Sequence, residues 1–308
     1  MKIKTIRRIL RREFDAWHDS IPRKKRKLRK LIRENSIISG GSIVSMLQGT
    51  KVSDFDVYFR TKETALAVAK YYVSLFKENN KDLRFEGGGR VADIHAMEGE
   101  EGRIRIVIKS AGIASATKSD NYQYFESLEP GSPEQEEFIE GAFRAGRLHK
   151  ELKGKYLPIF LSSNAISLSD NFQLITRFYG EAEEIHKNFD FIHCTCYWKS
   201  WDGELVLPKA ALESILTKEL RYSGSLYPLC SLFRMRKFIK KGWTINAGQI
   251  LKIALQISQM NLLDISILED QLIGVDVAYM MDLINRLRAE KEEKIDEIYI
   301  CRLVDEIF

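Results

Sequence analysis

The sequence predicts an α+β fold, a mixed β-sheet with helices over residues 36–207 followed by a helical domain over 208–308. Two observations carry that prediction. Strand-like and helix-like periodicities alternate from Ser36 to Leu207, and after Pro208 the helical period continues with little strand signal. A third observation, charge, sets residues 1–35 apart as a basic helical arm. Residues 1 to 33 hold fourteen Lys and Arg against three acids (Glu13, Asp15 and Asp19), a balance of +11 in a chain whose net charge is only +5. The remaining residues therefore carry 34 basic and 40 acidic side chains.

With 308 residues, 44% of them hydrophobic and 30% charged, the chain has the composition of a globular protein of one large domain or two moderate ones. No run approaches the roughly 18 apolar residues of a membrane-spanning helix, and no apolar signal segment follows the basic N-terminus. The sequence thus reads as cytoplasmic, with no membrane partner. Cys194, Cys196, Cys230 and Cys301 are too few and too scattered for a disulfide framework. The stretch His193-Cys194-Thr195-Cys196 lacks the second ligand pair that a structural zinc site needs.

In chain order, the arm reads as two helical pieces broken near His18-Asp19-Ser20-Ile21-Pro22. Residues 42–48 form a short helix and 55–59 a strand, and 61–79 form a helix with Thr61 or Lys62 at its cap. Strand-like runs follow at 103–110, 157–167, 172–178 and 189–198, and the Pro- and Gly-containing stretch 116–136 reads as a loop. Helical periodicity then covers 209–220, 227–243, 247–258 and 276–298.

The chemistry concentrates in residues 37–59, where Gly40, Gly41 and Ser42 lie about a dozen residues ahead of Asp54-Phe55-Asp56. Alternation on a strand puts Asp54 and Asp56 on one face, with Phe55, Val57 and Phe59 on the other. Two carboxylates so close repel unless a cation lies between them or one is protonated. A divalent ion is the simplest solution, and magnesium in particular accepts one or two carboxylates together with substrate phosphates. A glycine pair lets backbone approach a ligand, and the start of the following helix offers amide N–H groups to an anion. Ser42 adds a hydroxyl donor. Together these residue types suit a nucleoside triphosphate with its metal ion.

This arrangement, an apolar strand, Gly-Gly-Ser, a helix and then Asp-apolar-Asp-apolar, resembles the signature of the DNA polymerase beta-like nucleotidyltransferase superfamily. Residues 161–205 are also similar to a region of nucleotidyltransferase-like proteins of large viruses and phages. The resemblance implies a palm-like mixed sheet and transfer of a nucleoside monophosphate from an NTP, ATP among them, to an acceptor hydroxyl with release of pyrophosphate. It implies Mg2+ or Mn2+ as cofactor, with Asp54 and Asp56 as catalytic ligands and a third carboxylate on a later, adjacent strand. Asp190 is the preferred candidate for that third carboxylate and Asp93 its rival. Superfamily members hold the triphosphate with basic residues of the helical domain, which points to Lys237 and then Arg234, with Tyr222 as a residue for stacking on the base.

The segment 23–33 presents Arg23, Lys24, Lys25, Arg26, Lys27, Arg29, Lys30 and Arg33, a composition suited to phosphate backbones. RNA, a tRNA or other 3′ end, is therefore the favoured acceptor. Two alternatives stay open: a non-catalytic nucleic-acid-binding protein with a degenerate nucleotide site, and a toxin or antiviral enzyme that modifies tRNA or protein. Oligomeric state is not legible from the sequence.

Overall fold

The computed structural model describes residues 2–80, 94–98, 104–107, 112–114, 155–162, 165–272, 283, 286–287 and 296–307. These divide into two compact units, one drawn from 1–118, 141–189 and 193–216, the other from 119–140, 190–192 and 217–308.

The first unit opens with helices α1 (Ile3–Ser20) and α2 (Arg26–Asn35), which meet the expectation of two helical pieces. In α1 the buried residues Ile6, Leu10, Phe14 and Trp17 recur every three or four positions, and Leu28 and Ile32 do the same in α2. Strand β1 (Ser36–Ser39), helix α3 (Gly41–Gln48), strand β2 (Phe55–Phe59) and helix α4 (Lys62–Asn79) follow. Thr61 caps α4, its side chain accepting from the Thr64 amide at 3.3 Å.

Beyond α4 lie β3 (His95–Glu98), β4 (Ile104–Val107), β5 (Gly112–Ala114), β6 (Pro158–Ser162), β7 (Ala165–Leu168) and β8 (Phe172–Tyr179). Helix α5 (Ala182–His186), β9 (Tyr197–Lys199), β10 (Leu205–Val206) and α6 (Lys209–Thr217) come next. Among the described residues the main sheet has the order β10-β9-β1-β2-β8-β7-β6-β5, and β3 and β4 form a separate hairpin. It is a mixed, palm-like sheet, because β2 runs parallel to β8 while every other pairing is antiparallel.

One face of this sheet carries an aromatic core. Phe55, Phe172 and Trp198 project toward α1, where Phe14 lies 5.4 Å from Trp198 and Trp17 lies 5.7 Å from Phe172, measured between ring centres. Phe55 and Phe172 are 5.4 Å apart. The Trp17 indole N–H donates to the Tyr72 hydroxyl of α4 at 2.7 Å, so the polar atom of a wholly buried ring is satisfied. On the opposite face α5 covers one end of the sheet, with Ala182 and Ile185 packed against Ile37 and Tyr58.

Two expected strands differ in the structure. The run 157–167 is a hairpin, β6 and β7, instead of one strand. Of 189–198 only Tyr197–Lys199 joins the sheet. Residues 190–192 instead make backbone bonds within the second unit, Ser223 N–H to Asp190 O at 2.8 Å and Ile192 N–H to Arg221 O at 3.0 Å, and 192–195 form a single 3-10 turn. The expected loop at 116–136 and most of the helix at 276–298 lie outside the described residues.

The second unit is helical over its described C-terminal part, which begins at 217, so that the helix at 209–217 falls largely in the first unit. The second unit contains α7 (Pro228–Lys240), α8 (Ala247–Ile257), α9 (Ile265–Leu272) and α10 (Glu297–Ile307). Asn246 caps α8 by accepting from the Gln249 amide at 3.1 Å. Its core gathers Leu268, Leu272, Leu283, Leu287 and Leu303, with Leu229 and Phe233 against them.

Replacing Trp17 by Ala removes one of the two largest side chains of the first core and the donor to the Tyr72 hydroxyl. The expected loss is about 3–5 kcal/mol of unfolding free energy, read from urea denaturation. A change of only about 0.5 kcal/mol, the scale of surface substitutions, would show that α1 is not fastened to the sheet as described.

Candidate nucleotide and metal site

Strand β1 ends at Ser39 and the chain turns at Gly40 into α3. Gly40 has φ +92° and ψ −144°, a conformation that residues with a Cβ rarely adopt. Its neighbour across the turn is Asp56: a Cβ built on Gly40 would stand 3.3 Å from Asp56 Oδ2. The bare backbone of the turn and the carboxylate of β2 thus form one cradle that any side chain at position 40 would fill. At Gly41, by contrast, a Cβ would meet nothing within 4 Å, so this second glycine is not required by close contact.

The register explains the cradle. Ser39 pairs with Asp56 across β1 and β2, and Ile37 pairs with Tyr58. Phe55 and Val57 are buried on the core face while Asp54 and Asp56 are partly exposed, which is the alternation that the sequence predicts. Helix α3 has no side-chain cap, so its first amide N–H groups are left for an anion or water. Ser42 is 2% exposed and its hydroxyl has no hydrogen-bond partner among the described residues.

A small network fixes the turn from below. The Ser39 hydroxyl donates to Cys196 O at 3.0 Å and accepts from His186 Nε2 at 2.9 Å, which places the imidazole proton on Nε2. Burial lowers the His186 pKa to about 4, against a smaller opposing effect of Glu183. His186 and Ser39 were not singled out by the sequence. Their pairing spans 147 positions and no local motif announces it.

The strands flanking β2 bring no third carboxylate to the level of Asp56. That level is occupied by Ser39 on β1 and Gln173 on β8. Among the described residues no group of three or more His, Cys, Asp or Glu is placed to hold a metal ion. Asp190, only 7% exposed, belongs to the second unit, where Arg234 holds it by two charge-assisted bonds, Nε to Oδ2 and Nη2 to Oδ1, the latter at 3.0 Å. Asp93 lies outside the described residues. Lys237 is exposed on α7. Tyr222 is 5% exposed and donates its hydroxyl to Gln256 at 2.6 Å, the environment of a packed ring.

The basic segment divides in two. Arg29 donates to His18 O and Ile21 O at 2.9 and 2.7 Å and pairs with Asp19 at 2.8 Å, and Arg33 pairs with Asp15. These two arginines bind α2 to α1. Arg23, Lys24, Lys25, Arg26, Lys27 and Lys30 remain exposed, with Lys27 3.2 Å from Glu63.

A family model described as Gabija anti-defense 2 family protein matches residues 8–218. The chain belongs to that family. The matched region of this anti-defense family member contains the Gly40 turn, Asp54, Asp56 and the whole main sheet. No curated protein matches the sequence.

Solved structures similar to it include the CCA-adding enzyme of Bacillus stearothermophilus in complex with CTP, 12% identical over 81% of this chain and 47% of that one, with a TM-score of 0.34. A tRNA-processing enzyme in an apo form is 14% identical over 86% and 59%, with a TM-score of 0.35. A tRNA nucleotidyltransferase complexed with a primer tRNA and an incoming ATP analogue is 14% identical over 85% and 59%, with a TM-score of 0.32. The chain thus spans between 47% and 59% of the length of these three structures.

Because the folded-state pKa of His186 is depressed, its neutral form favours the folded state. Stability from this group is full above about pH 6.5, the unperturbed value, and declines as pH falls toward 4. Replacing His186 by Gln is expected to flatten the decline of the thermal midpoint between those two values. Superimposable midpoint profiles for the two proteins would refute the assignment.

Proposed function

We propose that this chain is a divalent-metal-dependent nucleotidyltransferase that passes a nucleoside monophosphate from an NTP to an acceptor hydroxyl, with an RNA 3′ end as favoured acceptor. The observation that carries the proposal is the cradle between Gly40 and Asp56. A polyphosphate needs closely approaching backbone and free amide donors, and its cation needs carboxylate oxygen; this turn offers both within one register pair.

The donor set fits magnesium or manganese: Asp56 and Asp54 supply hard oxygen ligands, and the phosphates of the nucleotide supply the rest. When bound, such an ion would neutralise phosphate charge and make the acceptor hydroxyl more acidic. The chain's own residues orient the substrate. The α3 start and the Gly40 turn hold the triphosphate, so that the acceptor oxygen forms a bond to the α-phosphorus as the bond to the β-phosphate bridging oxygen breaks. The hydroxyl proton leaves to base or solvent, and pyrophosphate departs. For Asp190 to act as third carboxylate it must exchange Arg234 for a metal ion, so the proposal rests on Asp54 and Asp56.

The family name describes action against Gabija defence, and within that setting the acceptor would be a nucleic acid or a protein on which the defence depends. A second reading has a specific observation in its favour. Ser39 and Gln173, both uncharged, flank Asp56, an arrangement that suits a protein which holds a metal-bound nucleotide without transferring it.

Incubation with each α-labelled NTP, Mg2+ or Mn2+ and either total RNA or protein extract is expected to transfer label. Asp56→Ala and Gly40→Ala are expected to lower transfer at least about 100-fold, the scale on which preorganised electrostatic groups act. Nucleotide binding without any transfer by the native chain would favour the second reading.

For the acceptor, reversing Arg23, Lys24, Lys25 and Lys27 to Glu leaves the bridges between α1 and α2 intact. Affinity for single-stranded RNA should fall, and the logarithmic salt slope should shrink by about 0.7 for each phosphate that is no longer neutralised. An unchanged slope would remove RNA binding by this segment from the proposal.

A further inference from the structure

At the level of Asp56 the paired residues of neighbouring strands form a row on the site face of the sheet. Register pairs link Tyr197 to Ser39, Ser39 to Asp56, Asp56 to Gln173, Gln173 to Ser167 and Ser167 to Phe160. Packing of Ile175, two residues beyond Gln173, against Ile37 and Tyr58 independently puts this parity of β8 on the same side as Asp56.

On the β1 side of Asp56 the Ser39 hydroxyl is fully engaged by His186 and Cys196. The β8 side differs. Gln173 and Ser167 are partly buried, and neither side chain makes a hydrogen bond among the described residues. With strands about 4.8 Å apart, the pair spans about 5 to 10 Å from Asp56. A sugar joined through one ester oxygen to a phosphate held at the carboxylate would reach into that span. An amide and a hydroxyl, each able to donate and accept, match a hydroxyl-bearing neutral group better than a phosphate or a cation.

We propose that Gln173 and Ser167 form an uncharged subsite that recognises ribose hydroxyls next to the metal-bearing carboxylates. This rests on the nucleotide reading of the Gly40–Asp56 cradle and names what that site selects. Two riboses share the chemistry, that of the bound NTP and that of the acceptor's terminal nucleoside.

The test is calorimetric binding of α,β-methylene nucleoside triphosphates with Mn2+, each compared with its 2′,3′-dideoxy counterpart, and of a short oligoribonucleotide compared with its 3′-terminal 2′,3′-dideoxy form. Proteins compared are the native chain, Gln173→Ala, Ser167→Ala, Gln173→Glu and Asp56→Ala, each first checked for an unchanged thermal midpoint.

The native chain should prefer the ribose form, and Gln173→Ala should cut that preference about tenfold, the scale of one hydrogen bond. Mn2+ binding alone should be unaltered in Gln173→Ala and tighter in Gln173→Glu. Loss of preference confined to the triphosphate assigns the subsite to the NTP, and loss confined to the oligonucleotide assigns it to the acceptor. If Gln173→Ala and Ser167→Ala keep the native preference while Asp56→Ala loses binding, the subsite is refuted and the nucleotide reading stands. If the native chain binds none of the nucleotides, both fall.

Discussion

Everything in the candidate site depends on the register between β1 and β2. Pairing Ser39 with Asp56 brings the carboxylate beneath the Gly40 turn, where it lies 3.3 Å from the place a Cβ would take. Because strand side chains alternate, a slip of one residue would turn Asp54 and Asp56 into the aromatic core and Phe55 and Val57 toward solvent. Charge and hydrophobicity therefore enforce the same register. The buried ring stack of Phe55, Phe172 and Trp17 fixes it from one side, and the packing of Ile37 and Tyr58 under α5 fixes it from the other.

That dependence gives the N-terminal helices a structural role as well as an electrostatic one. Phe14 and Trp17 of α1 complete the core beneath the sheet, and the Trp17–Tyr72 hydrogen bond ties α1 to α4. Arg29 and Arg33 bridge α2 to α1, so two of the eight cations in 23–33 serve the fold, while the other six are exposed, Lys27 and Lys30 among them in ion pairs with Glu63 and Glu34. Removing residues 1–33 would thus remove part of the core along with the charge. Point reversals on the exposed residues separate the two roles.

Much of this was legible in the sequence because local periodicity and sterics set it. The α1 stripe, the Thr61 cap, strand β2 with its buried Phe55 and Val57, and the helical character after Pro208 all follow from spacing within one element. What escaped was set by partners far along the chain. The run at 189–198 looks like a strand, yet the backbone of 190–192 bonds with residues 221–223, and Asp190 meets Arg234 at a separation of 44 positions. Gln173 was invisible for the same reason. Its place beside Asp56 comes from a parallel pairing between strands more than a hundred residues apart, and an isolated glutamine carries no signal of its own.

The residues paired with Asp56 on either side, Ser39 and Gln173, are neutral. An acid on the site face of β2 is held there by what the other face buries: a large ring such as Phe55 stabilises the fold by about 1.5–3 kcal/mol when buried. A divalent ion bound to these carboxylates as proposed would also stabilise the fold, because the unfolded chain offers it no such site. On that reading the neutral positions next along the row matter: a further acid beside Asp56 would add a like charge, and a lysine would compete with the ion. An amide and a hydroxyl would do neither, and in the proposed subsite they would select a ligand by hydrogen bonding once charge had brought it there.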